Sequence, residues 1–411
     1  MAAEIHVEIL QPEILDDSVR IWGEVRGHPG RQRDGKIFFE VPATVWDFLA
    51  VRGRSDDIHD AFLRATIWSA MEAGGELTVH GRVSTRLLAN IERFQEITCR
   101  WWPKYRPVRL RADEEIGDVA ATAAVGRDPA RQGSAVLAYS GGLDSTESLV
   151  AHTHGWRGRN TLKIEACVFV HGFDIRLKDE AFRGALRRVR AITDHYGVAL
   201  IPMRSNLKEL LPSWELTYPS GVLAAISLLE RRFSFGLFAS SRPYESLDFL
   251  VSETGSTAAT DPLHSSATFS AVHDLAALRI EKTARLADEG VVWRNLRVCW
   301  EGEDLTTNCG WCEKCVRQML CMRACGLTDF SAFRRPLTPS AVEAVRLPLA
   351  VMVLEWERCL AHAVARGVGD DEVFLAMRRV IERDRGVINA VTAHVGLWFR
   401  LRRRLRRYWP A

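Results

Sequence analysis

Short apolar runs of strand type alternate with helical stretches over roughly the first 110 residues of the chain. One helical stretch carries Leu63, Ile67 and Met71 at four-residue spacing on one face, and Gly74 and Gly75 follow it. This part of the chain is predicted to be a small α+β domain. Its strands are predicted at Ile5–Ile9, Val19–Val25, Lys36–Val41 and Glu76–Val83, and its helices from about Asp56 to Met71 and from Leu87 to Phe94.

From Gly133 onward, strands and helices alternate regularly, which is typical of α/β folds. Strands separated by helices of this length predict a parallel, doubly wound sheet. Ligands of such sheets bind at the carboxyl ends of the strands. The strands are predicted at Ala135–Tyr139, Ile164–Val170, Val198–Met203, Phe235–Ser240 and Asn295–Val298, and the helices at Ser145–His152, Asp179–Tyr196, Val222–Arg231 and Ala276–Asp288.

A length of 411 residues allows two or three domains. We predict an N-terminal α+β domain over residues 1–130, an α/β domain over 131–330 and a helical extension over 331–411. The stretch from Arg111 to Gly133, which is rich in Ala, Gly and acidic residues, is interpreted as a linker. The N-terminal domain shows no catalytic constellation, so we predict that it docks a macromolecular partner or supports a homo-oligomer.

The glycine turn after the first α/β strand is the strongest motif of the chain. Two adjacent glycines leave the main chain accessible to a phosphate, and the following helix directs its N-terminal N–H groups and dipole at the turn. The turn lacks the lysine of the common phosphate loop, which suits the binding of a departing pyrophosphate. An aspartate at its mouth is a suitable oxygen ligand for Mg²⁺. The segment consists of Ser140, Gly141, Gly142, Leu143, Asp144, Ser145 and Thr146.

Four cysteines further along the chain have the spacing of a metal site: Cys299, Cys309, Cys312 and Cys315. Four thiolates can bind zinc tetrahedrally and leave no position open for a substrate, which is typical of structural zinc. An iron–sulfur cluster, a redox CxxC pair and disulfides are the alternatives. No feature of the sequence marks the chain as secreted, which disfavours disulfides.

Composition adds little to these motifs. The net charge of +3 is too small to indicate nucleic-acid binding by itself. The first residues lack the cationic stretch of a signal peptide, no apolar run reaches membrane-spanning length, and we expect a cytoplasmic protein. The tail from Arg400 to Trp409 is predicted to form a basic helix with Leu397, Leu401 and Leu405 on one face. Such a helix can contact nucleic acid, an acidic partner or a membrane surface, or dock by its leucines alone.

On the residues Ser140–Thr146, Arg279–Glu289 and Cys299–Arg317, the chain resembles the PP-loop ATP pyrophosphatases, whose signature is SGGxDS. Within them it is similar to the QueC family, the 7-cyano-7-deazaguanine synthases, whose cysteine cluster reads CGxCxxCxxR. The resemblance covers less than half of the chain, to about Leu320. The long N-terminal and C-terminal additions resemble the longer members encoded in anti-phage operons of the Qat and CBASS kinds.

The resemblance implies an ATP-dependent ligase that adenylylates a 7-deazaguanine carboxylate, releases pyrophosphate and lets an amine displace AMP. The cofactors implied are ATP, Mg²⁺ and Zn²⁺. Asp144, Ser145 and Asp261 are the implied catalytic residues, and the turn together with His171 is the implied nucleotide site. The amine would come from ammonia or from a partner protein.

The chain also departs from the family. Val170–Asp174 replaces the Asp-Tyr-Gly-Gln-type segment, and Gly255–His264 replaces the substrate loop. Two other functions therefore stay open, a tRNA-modifying PP-loop enzyme and a non-catalytic ATP-binding scaffold. Loop residues near strand ends are further candidates, although each is interpreted equally well as a turn cap or a surface group: Asp174, His264, His273 and Asp274.

Overall fold

The computed structural model describes residues 3–28, 35–50, 58–125, 131–241, 255–274, 277–299, 301–302 and 304–386. The chain forms two compact units, Met1–Ala277 and Leu278–Ala411, called unit 1 and unit 2 below. No helix of the described ranges combines the length and the apolar character needed to cross a membrane.

One large sheet organises unit 1. Its strands are β1 (Ala3–Ile9), β2 (Glu13–Ile14), β3 (Ser18–Arg26), β4 (Gly35–Pro42), β5 (Gly75–Ser84), β6 (Val108–Ile116), β7 (Ser134–Ala138), β8 (Lys163–His171), β9 (Ala199–Ser205), β10 (Phe235–Ala239) and β11 (Ser270–Asp274). They lie in the order β11-β10-β7-β8-β9-β4-β3-β1-β5-β6, with β2 paired to β3 outside this path.

The helices of unit 1 are α1 (Ala43–Ala50), α2 (His59–Ala73), α3 (Thr85–Trp101), α4 (Asp118–Val125), α5 (Leu143–Thr153), α6 (Ala181–His195), α7 (Leu207–Leu210) and α8 (Trp214–Ser227). Alternate strand residues such as Val136 and Val168 join α2 and α8 in one buried core. Their neighbours Leu137 and Cys167 are also buried and point to the opposite face, because strand side chains alternate. The sheet is therefore covered on both faces in this region.

The five strands β11-β10-β7-β8-β9 are parallel to one another. When these strands are numbered 1 to 5 along the chain, their order across the sheet is 3-2-1-4-5. β7 is paired to β8 on one side and to β10 on the other. This order is compatible with a doubly wound α/β fold, as the sequence predicts. The chain reverses its winding direction between β7 and β10, and a crevice opens at the carboxyl ends of strands at such a point.

The first half of unit 1 continues the same sheet. β4 pairs antiparallel with β9, with Phe39 opposite Ser205 and Glu40 opposite Arg204. The predicted linker from Arg111 to Gly133 is wrong, because β6 and α4 occupy much of it and β6 pairs with β5. The two compact units therefore do not follow the predicted boundaries at residues 130 and 330. Backbone hydrogen bonds between β4 and β9 join the residues on the two sides of the first boundary.

The predicted strand at Asn295–Val298 is also wrong. The N–H groups of Val298 and Cys299 donate to the side-chain oxygen Oδ1 of Asn308 instead of to a neighbouring strand, at 2.8 and 3.1 Å. The fifth parallel strand is β11, a five-residue segment that pairs with β10 from Ser270 to Asp274. Its short sequence carries little apolar pattern, so periodicity alone does not reveal it.

Unit 2 is helical in its regular structure. It contains α9 (Arg279–Arg285), α10 (Gly290–Asn295), α11 (Glu313–Ala324), α12 (Pro339–Glu343), α13 (Ala350–Ala365) and α14, which covers residues 372–386. Val316, Leu320, Trp356 and Phe374 belong to one buried core, which therefore spans the predicted boundary at residue 330. The predicted basic helix from Arg400 to Trp409 lies outside the described residues.

We expect the substitution Glu40→Gln to lower the free energy of unfolding by about 1.5 to 3 kcal/mol. The Glu40 carboxylate lies at the junction of β4 with β9, 2.7 Å from Arg20 Nη2 and 3.2 Å from Arg204 Nη1, and its side chain is only 8% exposed. Urea denaturation measures the effect. The matched control is Glu13→Gln, which also removes a carboxylate from Arg20 but at a side chain 45% exposed. A loss as large in the control would contradict the assignment.

Candidate functional site

The glycine turn leaves β7 at the reversal point of the sheet. Gly141 has a φ of +72°, a conformation that a residue with a Cβ rarely adopts. Helix α5 begins directly after Gly142, and the N–H of Thr146 donates to the Gly142 carbonyl at 3.0 Å. The N–H groups that precede it in the first helical turn have no intrahelical acceptor, which is the arrangement that attracts anions.

Hydroxyl groups hold the turn in shape. Ser145 Oγ accepts the Ser140 N–H and donates to the Gly142 carbonyl, both at 3.3 Å, and the Ser140 hydroxyl accepts the Gly142 N–H at 3.3 Å. Thr146 Oγ1 lies 3.0 Å from the buried hydroxyl of Tyr139. Asp144 is half-buried in the first turn of α5. The seven predicted residues thus form one continuous turn and helix start.

A buried ion-pair network fixes α5 beneath this turn. Arg157 donates to both carboxylate oxygens of Glu147, at 3.1 and 2.7 Å, and to both of Asp274, at 3.0 and 2.9 Å. Ser148 Oγ adds a 2.6 Å hydrogen bond to Asp274, and His152 Nε2 lies 3.5 Å from it. Burial alone would raise the pKa of Asp274, but these donors hold it well below its usual range. Asp274 therefore has a structural role, which its position after a strand did not distinguish from a functional one.

His171 lies at the carboxyl end of β8. Its Nε2 is 2.8 Å from the carbonyl of Arg176, and its ring stacks on Phe182 with the centroids 4.2 Å apart. Burial lowers the pKa of His171, and Arg204 on the neighbouring strand also lowers it. These effects favour the neutral imidazole, and one of its ring nitrogens is engaged by the backbone.

Asp261 is buried at the start of a short 3₁₀-helix, Asp261–His264. Its Oδ2 accepts hydrogen bonds from Ser256 Oγ and His273 Nδ1, each at 2.7 Å. The sequence singled out both Asp261 and His273, but nothing in it indicates that they form a pair. The pair lies at the carboxyl end of β11, on the face of the sheet opposite to Asp274.

A second buried polar cluster lies beside α2. His264 Nε2 is 3.1 Å from the Ser220 hydroxyl, which also accepts the indole N–H of Trp68 at 2.8 Å. The fully buried guanidinium of Arg64 donates to the His264 carbonyl at 2.9 Å. Burial lowers the pKa of His264 to about 3, and the charge of Arg64 acts in the same direction. His264 is therefore a neutral core residue of the fold.

The four predicted cysteine ligands converge in unit 2. Their sulfur atoms all lie within 4.8 Å of one another, with 3.9 Å between Cys299 and Cys312 and 3.7 Å between Cys309 and Cys315. Zinc–sulfur bonds of about 2.3 Å in a tetrahedron place the sulfurs about 3.8 Å apart. All four residues are buried, and the cluster could hold a metal ion such as zinc.

Asn308, a residue outside the cysteine motif, positions this cluster. Besides accepting from the N–H groups of Val298 and Cys299, its amide donates to the carbonyls of Leu296 and Ala332, at 2.8 and 3.0 Å. It is 1% exposed, and these four hydrogen bonds all join its side chain to the backbone. One amide side chain thus brings the Cys299 segment to the Cys309 segment. Its only sequence signal is its position directly before Cys309.

Three of the thiols are close enough to affect the ionisation of one another. Hydrogen bonds from Cys312 and Cys315 hold the pKa of Cys299 far below its usual range. The Cys299 thiolate in turn raises the pKa of Cys312 to about 12 and that of Cys315 still further. A positive ion among the sulfurs would favour the thiolate form of Cys312 and Cys315, which is the form that binds metals.

We expect the stability of the protein to fall as the pH drops below about 6.5, with a contribution from His264 of up to about 1.4 kcal/mol per pH unit. The pKa of His264 is about 3 in the folded protein and 6.5 as the ordinary value, so between these values only the unfolded chain binds the proton. Urea titrations from pH 7 to 4 should show a shallower slope for His264→Gln. His195→Gln, on the exposed side of α6, is the control and should keep the wild-type slope.

No protein-family model matches the chain, and no curated protein and no solved structure is significantly similar to it.

Proposed function

We propose that the protein is an ATP-dependent carbon–nitrogen ligase of the PP-loop, QueC-like type. In the reaction, a carboxylate oxygen of the substrate attacks the α-phosphorus of ATP and pyrophosphate departs. An amine then attacks the acyl adenylate and displaces AMP. The observation that carries the proposal is the position of the turn Ser140–Thr146, directly at the reversal point of a sheet with the order 3-2-1-4-5.

The turn would act on the pyrophosphate. The positive φ of Gly141 bends the backbone without a side chain in the way, and the start of α5 presents N–H groups to developing negative charge. Such donors are aligned before the reaction and therefore stabilise the leaving group without reorganisation. Asp144 would hold the Mg²⁺ that neutralises the phosphates. The buried ion pairs of Arg157 with Glu147 and Asp274 would keep α5 in place while the phosphates are bound.

The substrate that we propose is a 7-deazaguanine carboxylate, and the amine is ammonia or an amine of a partner protein. Support for this class comes from the sequence resemblance, which pairs the turn with the cysteine cluster. The extensive structure of unit 1 outside the five parallel strands favours the larger acceptor, since ammonia needs only a small pocket. In anti-phage defence such a reaction would attach the deazaguanine to the partner.

For the cysteine cluster we propose a structural zinc ion. Four thiolates at tetrahedral separations leave no position open for water or substrate. N–H groups of Trp311 and Cys312 donate to the sulfur of Cys309 at 3.5 and 3.4 Å and stabilise its negative charge. Cys312 also precedes the first turn of α11, whose positive end lies next to the site.

We expect Asp144→Asn to abolish ATP-dependent product formation, with a loss of about 100-fold or more, because the Mg²⁺ on the phosphates loses a charged ligand. The assay incubates the protein with ATP, Mg²⁺ and 7-carboxy-7-deazaguanine and measures AMP and pyrophosphate. Asp194→Asn, at an exposed position of α6, is the matched control and should keep wild-type rates. If the folded wild-type protein forms neither AMP nor pyrophosphate with any amine supplied, the proposed function is wrong.

The zinc proposal predicts one zinc ion per chain by elemental analysis. We expect Cys312→Ser to lower the zinc content and to unfold unit 2 or make the protein insoluble, because metal binding and folding are linked. Cys99→Ser, on α3 in unit 1, should leave the zinc content unchanged. Iron with a brown colour in anaerobically purified protein would favour an iron–sulfur cluster and contradict zinc.

A further inference from the structure

His273 and Asp274, the last two residues of β11, differ in the hydrogen-bond partners of their side chains. Asp274 accepts hydrogen bonds from Ser148 and Arg157 on the α5 face, and His152 Nε2 lies 3.5 Å from it. His273 points to the opposite face, where its Nδ1 lies 2.7 Å from Asp261 Oδ2. Its Nε2 is buried and has no hydrogen-bond partner among the described residues. Only 4% of the His273 side chain is exposed.

The partners of Asp261 settle the tautomer of this imidazole. Asp261 accepts from Ser256 Oγ at 2.7 Å and from the Thr257 N–H at 3.4 Å, and its own side chain is 1% exposed. A buried carboxylate held by these donors accepts a hydrogen bond, so the Nδ1 of His273 carries the proton. The lone pair is thereby placed on Nε2. This is the arrangement of a histidine oriented by a carboxylate for proton transfer.

An unpaired buried polar atom costs free energy, so the Nε2 of His273 calls for an explanation. His264 also leaves one buried ring nitrogen, Nδ1, without a hydrogen-bond partner among the described residues. Its ring, however, packs against Phe94 of α3 and lies next to Ser220 of α8, inside the core. His273 instead lies next to the carboxyl end of a parallel strand, in register with Phe238 of β10. β10 lies beside β7, so the His273 position is two strand spacings, about 10 Å, from the strand that leads into the glycine turn.

We propose that His273 is the general base of the second half-reaction and that Asp261 is its positioning residue, an inference that rests on the proposed function. The amine nitrogen attacks the carbonyl carbon of the acyl adenylate while one of its protons moves to Nε2 of His273. The bond between that carbon and the phosphate oxygen breaks, and AMP leaves with the electron pair. The products are the amide, AMP and an imidazolium that Asp261 stabilises until the proton passes to water.

The test compares two nucleophiles. Ammonia is mostly protonated to ammonium at neutral pH, so a base is needed to remove a proton before or during its attack. Hydroxylamine is mostly unprotonated at the same pH and therefore depends far less on a base. His273→Asn keeps a donor at the position of Nδ1, and with it the bond to Asp261, but removes Nε2. We expect amide formation from ammonia to fall by about 100-fold or more, while hydroxamate formation stays close to that of the wild-type protein. His195→Asn is the surface control and should change neither product.

Pyrophosphate exchange into ATP, measured without an amine, separates the possible failures. If the wild-type protein shows no exchange, the proposed function fails, and the role of His273 fails with it. If exchange is normal but the variant loses both products equally, or loses neither, His273 is not the base. Should His273→Asn not fold, Asp261→Asn serves in its place. It leaves Nε2 present but unoriented, and the same selective loss with ammonia is expected.

Discussion

The pairing of β7 with both β8 and β10 is the constraint on which the candidate site of unit 1 depends. The first strand of the parallel series lies in the middle, and later strands are added on both sides of it. The connections that follow β7 and β10 at their carboxyl ends therefore lead to opposite sides, towards β8 and β11. The glycine turn lies where they separate, which is the position at which ligands of such sheets bind.

Buried polar contacts then fix the elements around this point. Arg157 ties α5 to the end of β11 through Glu147 and Asp274, three charged side chains that are each less than a tenth exposed. Separating any one of these side chains from the others would leave an uncompensated buried charge. The network therefore holds α5 and the end of β11 in a fixed arrangement. On the other face of the sheet, Asp261 binds Nδ1 of His273, and Nε2 has no hydrogen-bond partner among the described residues. Rigid support and an available group thus occupy adjacent positions of one strand.

In unit 2, the cysteine cluster and the helical core depend on a small number of backbone contacts. Gly310 adopts a φ of +80°, and a Cβ there would lie 2.7 Å from the Arg335 carbonyl oxygen. Asn308 bonds to four backbone groups from segments before and after it. These contacts between loop segments bring the four sulfurs together. The only regular element at the cluster, among the described residues, is the first turn of α11.

The sequence alone determined the features that depend on local backbone chemistry. The glycine turn, the helix after it and the sulfur ligand spacing are encoded within a few residues, and helix α6 lies within about two residues of its predicted bounds. The parallel series from β7 to β10 was predicted for the same reason, since apolar runs of that length bury themselves as strands. The roles of His171, Asp144 and the turn in binding a nucleotide stay predictions.

Only the tertiary structure decided the features that depend on contacts between distant segments. The pairing of β4 with β9, the strand β11 and the bond between Asp261 and His273 each join residues whose individual sequences carry no signal for the partner. A strand such as β6 resembles a linker in composition, because one of its faces is exposed and charged. Hydrogen bonds across the sheet, and not local propensity, give these segments their structure, and periodicity along the chain cannot record them.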